Sequence, residues 1–174
     1  MDARVADLTH ITVANIVGSG DFDIELDLAA VANAPEFAES EWIESVRHDR
    51  DQANRLFIKF TQGDGLGILS PRGVHVITGP DTYEEFYDSK NQLYNALEHA
   101  GVVTDLDGDF VVKNIVCTAD FGYDIRLDTL AIGLGFENVE YEPEQFPGMV
   151  YRTEQESCTI LIFGTGKVVV TGIR

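Results

Sequence analysis

Apolar and polar residues alternate over eight short stretches of the chain, which is the pattern of strands that bury one face. Gly63-Asp64-Gly65 and Ser70-Pro71-Arg72-Gly73 separate three of these stretches and supply tight turns. The pattern therefore predicts an antiparallel meander. The predicted strands are 11–17, 56–60, 66–69, 74–78, 110–117, 149–152, 159–163 and 167–171.

Apolar residues at helical spacing occur in three other segments. Residues 26–34 and 128–134 predict two short helices. A longer helix follows Asp81, the predicted N-cap, with Glu84 at the capping-box position, and Gly101 ends it. Its predicted apolar stripe comprises Phe86, Leu93 and Leu97, with Tyr83 and Tyr94 beside it.

The sequence contains an internal repeat. Asn15–Phe22 returns as Asn114–Phe121, 99 positions later, and Val76–Gly79 returns as Val169–Gly172, 93 positions later. The smaller offset means that the first copy holds additional residues. We expect them in the polar, charged segment 35–52, as a surface loop.

Two similar units within one domain, residues 1–101 and 102–174, are therefore predicted, related by a pseudo-two-fold axis. The order of elements predicts an α+β fold whose helices cover one face of an antiparallel sheet. The other face carries Val, Ile, Thr and Asn and is expected to bind a ligand. The chain stops at Arg174, where the second repeat would have its long helix. We expect either a naturally short protein or an apolar face that is open or covered by a partner.

The chain is strongly acidic. Twelve Lys and Arg against 30 Asp and Glu give a net charge of −18, while 44% hydrophobic residues argue against disorder in a chain of 174 residues. At 1 M salt the Debye length is only ~3 Å, so self-repulsion is largely screened. We therefore expect a halophilic source. So few cations exclude the broad basic face of ordinary DNA-binding proteins. Were the ligand a nucleic acid, cations held between the acidic protein and phosphate would strengthen binding as salt rises.

Cysteine usage and the N-terminus bear on the compartment. Cys117 and Cys158 have no metal-ligand spacing and are interpreted as small, half-buried strand residues in a reducing compartment. The N-terminal residues 1–7 do not have the pattern of a signal peptide, and no apolar run is long enough to span a bilayer. We expect a soluble, cytoplasmic protein with no membrane partner.

Three local patterns suggest chemistry but lack the residues that it requires. Gly164-Thr165-Gly166-Lys167 has too short a glycine spacing for a Walker A loop, and Val168 and a strand follow it. Asp105-Leu106-Asp107-Gly108-Asp109 has its glycine too early for a calcium loop and no closing Glu. The four histidines have no ligand spacing. We therefore expect neither an enzyme nor a metal or other cofactor.

Several segments closely resemble the second repeat of archaeal TATA-box-binding proteins. They are Phe136–Arg152, Ile162–Lys167, Val169–Gly172 and Asn114–Val116, which together span nearly all of residues 110–172. The first repeat matches the family well only at residues 14–22, 26–32 and 74–101. The resemblance implies a two-repeat saddle, a curved antiparallel sheet with helices on the convex face. In this family the concave face lies on a widened minor groove, and apolar side chains wedge between bases.

The resemblance also implies DNA contacts. Asn15 and Asn114 match two central asparagines that donate to minor-groove acceptors, which are nearly alike for A·T and T·A. Phe146 and Phe163 match the pair that wedges into a base step. The other matched positions are threonines beside the asparagines, apolar sheet contacts and phosphate contacts: Thr78, Thr171, Val17, Val76, Val116, Leu161, Val169, Lys59, Arg152 and Lys167. Val74 stands at the first-repeat position that corresponds to Lys167, and Arg72 lies close enough to replace the missing charge.

Without the resemblance these residues carry unequal weight. Val and Thr are ordinary strand formers, Arg152 and Lys167 ordinary surface charges, and Phe163 could equally belong to the core. Asn is depleted in strands, so its occurrence at two equivalent strand positions favours function. An aromatic residue at a Pro-Gly turn, Phe146, also favours function.

The first repeat departs from the family at the wedge. Ala53 and Ser70 lie 93 positions before Phe146 and Phe163. We therefore expect a kink at the second-repeat end only, a relaxed site preference and a divergent paralogue. Trp42 could serve as a substitute wedge, but packing of its segment onto the domain is the favoured interpretation.

Two functions remain open. The first is a transcription initiation factor that binds A·T-rich (TATA-box) promoter DNA and recruits transcription factor B, and through it RNA polymerase. Glu142 and Glu144 match the docking surface for transcription factor B. The second is a protein-interaction module that binds transcription factor B with weak or no DNA binding. The retained asparagines favour the first, and the lost phenylalanines favour the second. A homodimer through the helical side also remains open.

Overall fold

The computed structural model describes residues 11–51, 53–104, 109–152 and 158–173. Residues 1–10, and residues 105–108 of the segment tested as a calcium loop, lie outside the described residues. The elements, in chain order, are β1 (Thr12–Asp21), α1 (Leu28–Asn33), α2 (Pro35–Ala38), β2 (Ile43–Asp49), β3 (Arg55–Phe60), β4 (Leu66–Leu69), β5 (Val74–Thr78), α3 (Tyr83–His99), β6 (Val111–Asp120), α4 (Leu127–Leu134), β7 (Val139–Glu140), β8 (Gly148–Arg152), β9 (Thr159–Phe163) and β10 (Lys167–Ile173).

The chain forms two compact units. The first-repeat unit is Asn15–Lys113, and the second-repeat unit consists of the described parts of Met1–Ala14 and Asn114–Arg174. Strands of the first-repeat unit lie in the order β2-β3-β4-β5-β1, and those of the second-repeat unit in the order β7-β8-β9-β10-β6. Neighbours within each unit are antiparallel. The two units thus repeat one strand order, as the sequence repeat predicts.

Strand registers match the 93-residue offset. Leu66 pairs with Thr78 in the first-repeat unit, and Thr159 pairs with Thr171 in the second. The next strand outward keeps this relation, because Leu66 also pairs with Lys59 and Thr159 with Arg152. Residues 93 positions apart therefore occupy equivalent places on the central and outer strands of the two units.

The segment 35–52 is not the surface loop that its composition predicts. It contains α2 and the seven-residue strand β2, whose register with β3 shifts between Ile43 and Ser45. That shift interrupts the apolar alternation, which is why the sequence pattern missed the strand. The Trp42 ring lies 5.7 Å, edge-on, from the His99 ring of α3. Trp42 therefore packs its segment onto the helix, in agreement with the favoured interpretation.

The start of the long helix α3 differs from the prediction. Thr82 is the N-cap, and its hydroxyl accepts the Glu85 N–H at 3.3 Å, so the proposed capping box of Asp81 and Glu84 is wrong. Tyr83, the first residue of the helix, lies 51% exposed, outside the apolar stripe.

Helix α3 covers one sheet face of the first-repeat unit. Phe86, Leu93 and Leu97 are fully buried, as predicted. The strand residues buried with them include Ile16, Leu56, Ile58, Leu69 and Ile77. All lie on the side opposite Asn15, so the core fixes which face of this sheet remains accessible.

The second-repeat unit has a smaller core. It centres on Leu127, Ala131, Met149, Ile162 and Val168, with α4 against the sheet. Beside α4, a groove of about 730 Å³ is lined by side chains that include Phe121, Ile125, Leu130, Leu134 and Ile160. Within the described residues, no helix is long and apolar enough to cross a membrane. Both cysteines are free thiols.

Candidate nucleic-acid interface

An Asn–Thr–Gly cluster occupies the open face of the first-repeat unit. Asn15 lies on β1 and Thr78 ends β5, and the Asn15 Nδ2 donates to the Thr78 Oγ1 at 3.1 Å. The Gly79 backbone N–H donates to the Asn15 Oδ1 at 2.8 Å. Gly79 has φ +114, and a Cβ there would lie 2.6 Å from the Asp64 carbonyl oxygen. Only glycine can therefore bring this N–H to the asparagine.

The second-repeat unit contains an equivalent cluster. The Asn114 Nδ2 donates to the Thr171 Oγ1 at 3.2 Å, and the Gly172 N–H donates to the Asn114 Oδ1 at 2.7 Å. Gly172 has φ +88 and lies within the register shift of β10 between Val170 and Ile173. The repeated Thr-Gly dipeptides therefore have a structural reason, because each holds an asparagine.

These contacts fix the orientation of both amides. A backbone N–H can only donate, so the atom that it meets must be the asparagine oxygen. The amide nitrogen carries two hydrogens, and the neighbouring threonine accepts one of them. Each cluster can therefore present a donor to an outside acceptor. Because the oxygen is already bonded, the amide cannot flip without losing the glycine contact.

Cross-strand pairs define the rest of the open face in the first-repeat unit. Residues directly opposite in an antiparallel pair point to the same side. Val76 lies between Ser19 and Ile68, and Ile68 lies opposite Phe57. The sequence-predicted site residues on this face are Asn15, Val17, Val76, Thr78 and Lys59.

The second-repeat unit has a corresponding face. Val169 lies between Thr118 and Leu161, and Leu161 lies opposite Val150. The predicted site residues on this face are Asn114, Val116, Leu161, Phe163, Val169, Thr171, Arg152 and Lys167. Both faces carry apolar side chains and hydroxyl groups, and each has one asparagine side-chain amide, in its Asn–Thr–Gly cluster.

The predicted aromatic wedge is an assembled pair in the second-repeat unit. The rings of Phe146 and Phe163 lie 5.8 Å apart at 64°. The Glu142 carbonyl accepts the N–H groups of Gln145 and Phe146, which sets the turn before β8. A Cβ on Gly148 would lie 2.8 Å from Phe146 and 3.0 Å from Phe163. Gly148 is therefore required for the rings to stand together.

The first-repeat unit has no such pair at the equivalent places. Ala53 precedes β3, and Ser70 follows β4 with its hydroxyl oxygen buried and without a partner among the described residues. The aromatic residue on this part of the face is Phe57, which sequence reasoning missed. Its alternation with Leu56 and Ile58 was visible in the sequence, but its neighbours across the strand were not.

The four predicted phosphate contacts have different surroundings. Arg152 forms an exposed ion pair with Glu140 at 2.8 Å, a contact worth about 0–1 kcal/mol that a phosphate could replace. Lys167 begins β10 opposite Asp120. Lys59 is exposed on β3, and Arg72 is exposed in the turn between β4 and β5. The predicted partner-binding residues Glu142 and Glu144 are exposed before β8, and the Gln145 amide donates to the Glu142 carboxylate.

A buried aromatic cluster supports β5 from behind. The His75 ring stacks on Phe22 at 4.1 Å, and its two nitrogens lie 2.8 Å from the Tyr94 hydroxyl and 3.2 Å from the Gly73 carbonyl. Desolvation by burial lowers the pKa of His75, against the opposing hydrogen bond to Gly73. Burial also raises the pKa of Tyr94 to about 12. Both groups are therefore neutral at pH 7, and the contact between them holds β5 against α3 at His75.

Comparison with known proteins finds one family. A family model described as "Transcription factor TFIID (or TATA-binding protein, TBP)" matches residues 109–174. TATA-box-binding protein 1 of Haloferax volcanii is 36% identical over 162 residues, which are 93% of this chain and 82% of that protein. TATA-box-binding protein C of Halobacterium salinarum is 37% identical, over 94% of this chain and 88% of its own length.

A solved structure extends the similarity to the fold. The TBP of Methanococcus jannaschii superimposes with a TM-score of 0.74 at 32% identity, covering 94% of this chain and 88% of its own. The predicted α+β, two-repeat fold class is thereby confirmed. Sequence identity above 30% over nearly the whole chain, with the fold to match, establishes that the chain belongs to the TATA-box-binding protein family.

Proposed function

We propose that this protein is a transcription initiation factor that binds A·T-rich promoter DNA in the minor groove and recruits transcription factor B. The observation that carries the proposal is the pair of Asn–Thr–Gly clusters, one on the open face of each unit. Each presents an amide donor with its oxygen already engaged. A·T and T·A pairs offer only acceptors in the minor groove, whereas G·C adds a donor. A face with fixed donors therefore favours A·T.

The aromatic pair gives the same face a means of deforming DNA. The resemblance matches Phe146 and Phe163 to the side chains that the family inserts between bases, which supports this role. Unstacking a step costs a few kcal/mol, which is recovered through additional contact area. The Glu142 and Glu144 carboxylates, exposed before β8, are the proposed docking residues for transcription factor B.

The second candidate is a module that binds transcription factor B with weak or no DNA binding. Ala53 and Ser70 at the first-repeat wedge positions favour it, because they remove half of the family's deforming side chains. The two candidates differ in whether the protein binds a duplex at all.

A mobility-shift experiment in molar KCl separates these functions. The protein is tested on a TATA-containing duplex and on a G·C-rich duplex of equal length, with and without transcription factor B. The proposal predicts a complex on the TATA duplex that the partner strengthens. Absence of a complex in every lane would refute DNA binding. A steep fall in affinity from low to molar KCl would refute only the hypothesis that cations mediate binding, and DNA binding itself would stand.

One charge reversal tests the partner surface. Glu144→Arg is expected to preserve binding to DNA and to abolish the further shift with transcription factor B. Glu36→Arg, equally exposed at α2 of the other unit, is the control for the charge change. Equal loss in both variants would contradict a docking role for Glu144.

A further inference from the structure

Cations are concentrated on one hairpin of this acidic chain. Four of its twelve Lys and Arg residues lie between positions 47 and 59, on β2, on β3 or in the turn that joins them. Arg47 lies opposite Phe57, and Asp49 lies opposite Arg55. Strand alternation puts Arg47, Arg55 and Lys59 on the side of Phe57, which is the open face of the first-repeat unit.

The Arg47 guanidinium is preorganised on an aromatic ring. Its Cζ lies 4.3 Å from the centroid of Phe57, within the range of a cation–π contact. The side chain is nonetheless 67% exposed, and its carboxylate partner, Asp49, lies at a loose 3.8 Å. A guanidinium whose Cζ lies over a ring can still offer its N–H groups to the two oxygens of a phosphate. The cation is therefore both positioned and available.

The second-repeat unit has a cation at the position of Lys59 but not at the positions of Arg47 and Arg55, and no aromatic residue at the position of Phe57. Glu140 lies 93 positions after Arg47, and it pairs with Arg152, the counterpart of Lys59. Val150 is the counterpart of Phe57, and Gly148 that of Arg55. The outer strands thus carry the Arg152–Glu140 ion pair in one unit. In the other unit they carry Arg47, Arg55 and Lys59 on the side of Phe57, with Asp49 as the acidic neighbour of Arg47.

We propose that the β2–β3 hairpin is a cationic arm that grips the phosphate backbone of duplex DNA, with Arg47 on Phe57 as its principal contact and Arg55 as its second. The inference rests on the proposed function and deepens it, because the arm lies on the same face as the Asn15 cluster. In the first-repeat unit, the arm takes the place of an inserted aromatic pair with a contact that requires no unstacking of bases. Phosphate contacts fix position without reading bases.

The test measures fluorescence anisotropy of labelled duplexes over a series of KCl concentrations. One duplex contains a TATA sequence and the other is G·C-rich. Each phosphate contact contributes roughly 0.9 to the slope of log K against log salt. The double variant R47Q/R55Q is expected to bind both duplexes more weakly, with a slope that differs from the wild type by about 1.8. This difference does not depend on the sign of the wild-type slope.

Three further variants refine the assignment. Arg126 is an exposed cation at the start of α4. Arg126→Gln removes one charge far from the arm in sequence and should leave the affinity for both duplexes unchanged. Phe57→Leu and Arg47→Lys both keep the positive charge. The first removes the ring beneath the guanidinium and the second removes the guanidinium, so the affinity for DNA should fall several-fold with little change in the slope. Thermal unfolding of each variant reports its folding, and these last two keep the test available if the double variant is unstable.

The outcomes distinguish the arm from the proposed function. R47Q/R55Q that binds with the wild-type affinity and slope overturns the arm while DNA recognition stands. If the wild-type protein binds both duplexes equally and R47Q/R55Q loses affinity for both, the result supports the arm and refutes selectivity for A·T. Wild-type protein that binds neither duplex overturns both.

Discussion

Asparagine at position 114 has two separable roles, and two substitutions distinguish them. Its Oδ1 accepts the Gly172 N–H at 2.7 Å, which is a structural contact. Its Nδ2 donates to the Thr171 Oγ1 at 3.2 Å and retains a second hydrogen for DNA. Asn114→Ala removes both roles. Asn114→Asp keeps an acceptor of the same shape at the glycine but replaces the donor by a carboxylate.

The expected stabilities follow from the glycine contact. Alanine leaves the Gly172 N–H without its acceptor, and a lost partner of this kind costs about 1–3 kcal/mol. Aspartate offers a charged acceptor, and hydrogen bonds to ionised groups are the stronger kind. The Thr171 hydroxyl can reverse its role and donate to the carboxylate. We therefore expect Asn114→Asp to unfold near the wild-type temperature and Asn114→Ala clearly below it.

The expected DNA affinities follow a different order. A good contact with a base edge is worth about 1–3 kcal/mol, which is roughly a five- to 150-fold change in affinity. Both variants lose the donor. Aspartate also brings a negative charge toward minor-groove acceptors, so it should bind more weakly than alanine although it is more stable.

The measurement combines thermal unfolding by circular dichroism with anisotropy on a TATA duplex, both in molar KCl. Asn91→Asp on the exposed side of α3 makes the same charge change away from the open face and is the control. The assignment of the donor is wrong if Asn114→Asp binds DNA as the wild type does. The assignment of the acceptor is wrong if Asn114→Ala unfolds at the wild-type temperature.

Three other predictions concern packing and protonation. Gly148→Ala should displace the Phe146 ring from its partner and reduce bending of a doubly labelled duplex measured by energy transfer, whereas Gly164→Ala, whose Cβ meets its nearest atom only at 3.7 Å, should not. Burial lowers the pKa of His75, so as the pH falls the unfolded chain takes up the imidazole proton before the folded protein does. The contribution of His75 to stability should therefore be complete above about pH 6.5 and decrease below it. In His75→Gln, the decrease in the free energy of unfolding with falling pH should be smaller. Leu93→Ala, at a fully buried position, should cost about 2–5 kcal/mol in the free energy of unfolding measured with denaturant.

The central clusters were predictable because the sequence repeats them. Asparagine is unusual in a strand, and its recurrence with Thr-Gly in both halves points to one geometry used twice. The role of the glycines was not predictable. Their positive φ, and the approach of each N–H to an asparagine oxygen, arise from strand neighbours that are distant in sequence.

The cationic hairpin was hidden for a related reason. β2 has weak alternation and a register shift, so composition favoured a loop. Without β2, Arg47 has no defined neighbour, and Phe57 is one apolar residue in a strand. Cross-strand pairing is a tertiary property, and it creates the contact that distinguishes the two units. The helix α3 was predictable except for its first turn, where Thr82 and not Asp81 is the N-cap and Tyr83 is exposed.

The asymmetry of the two units has a consequence for recognition. In the second-repeat unit, Phe146 and Phe163 pack against each other, and Arg152 pairs with Glu140. In the first-repeat unit, the Arg47 guanidinium lies over Phe57. Inserted side chains act through the deformability of the step, which depends on sequence, whereas phosphate contacts do not read bases. If the protein binds DNA as proposed, selectivity through deformation would therefore come from the second-repeat unit, and the first would add phosphate contacts to base readout by the Asn15 cluster.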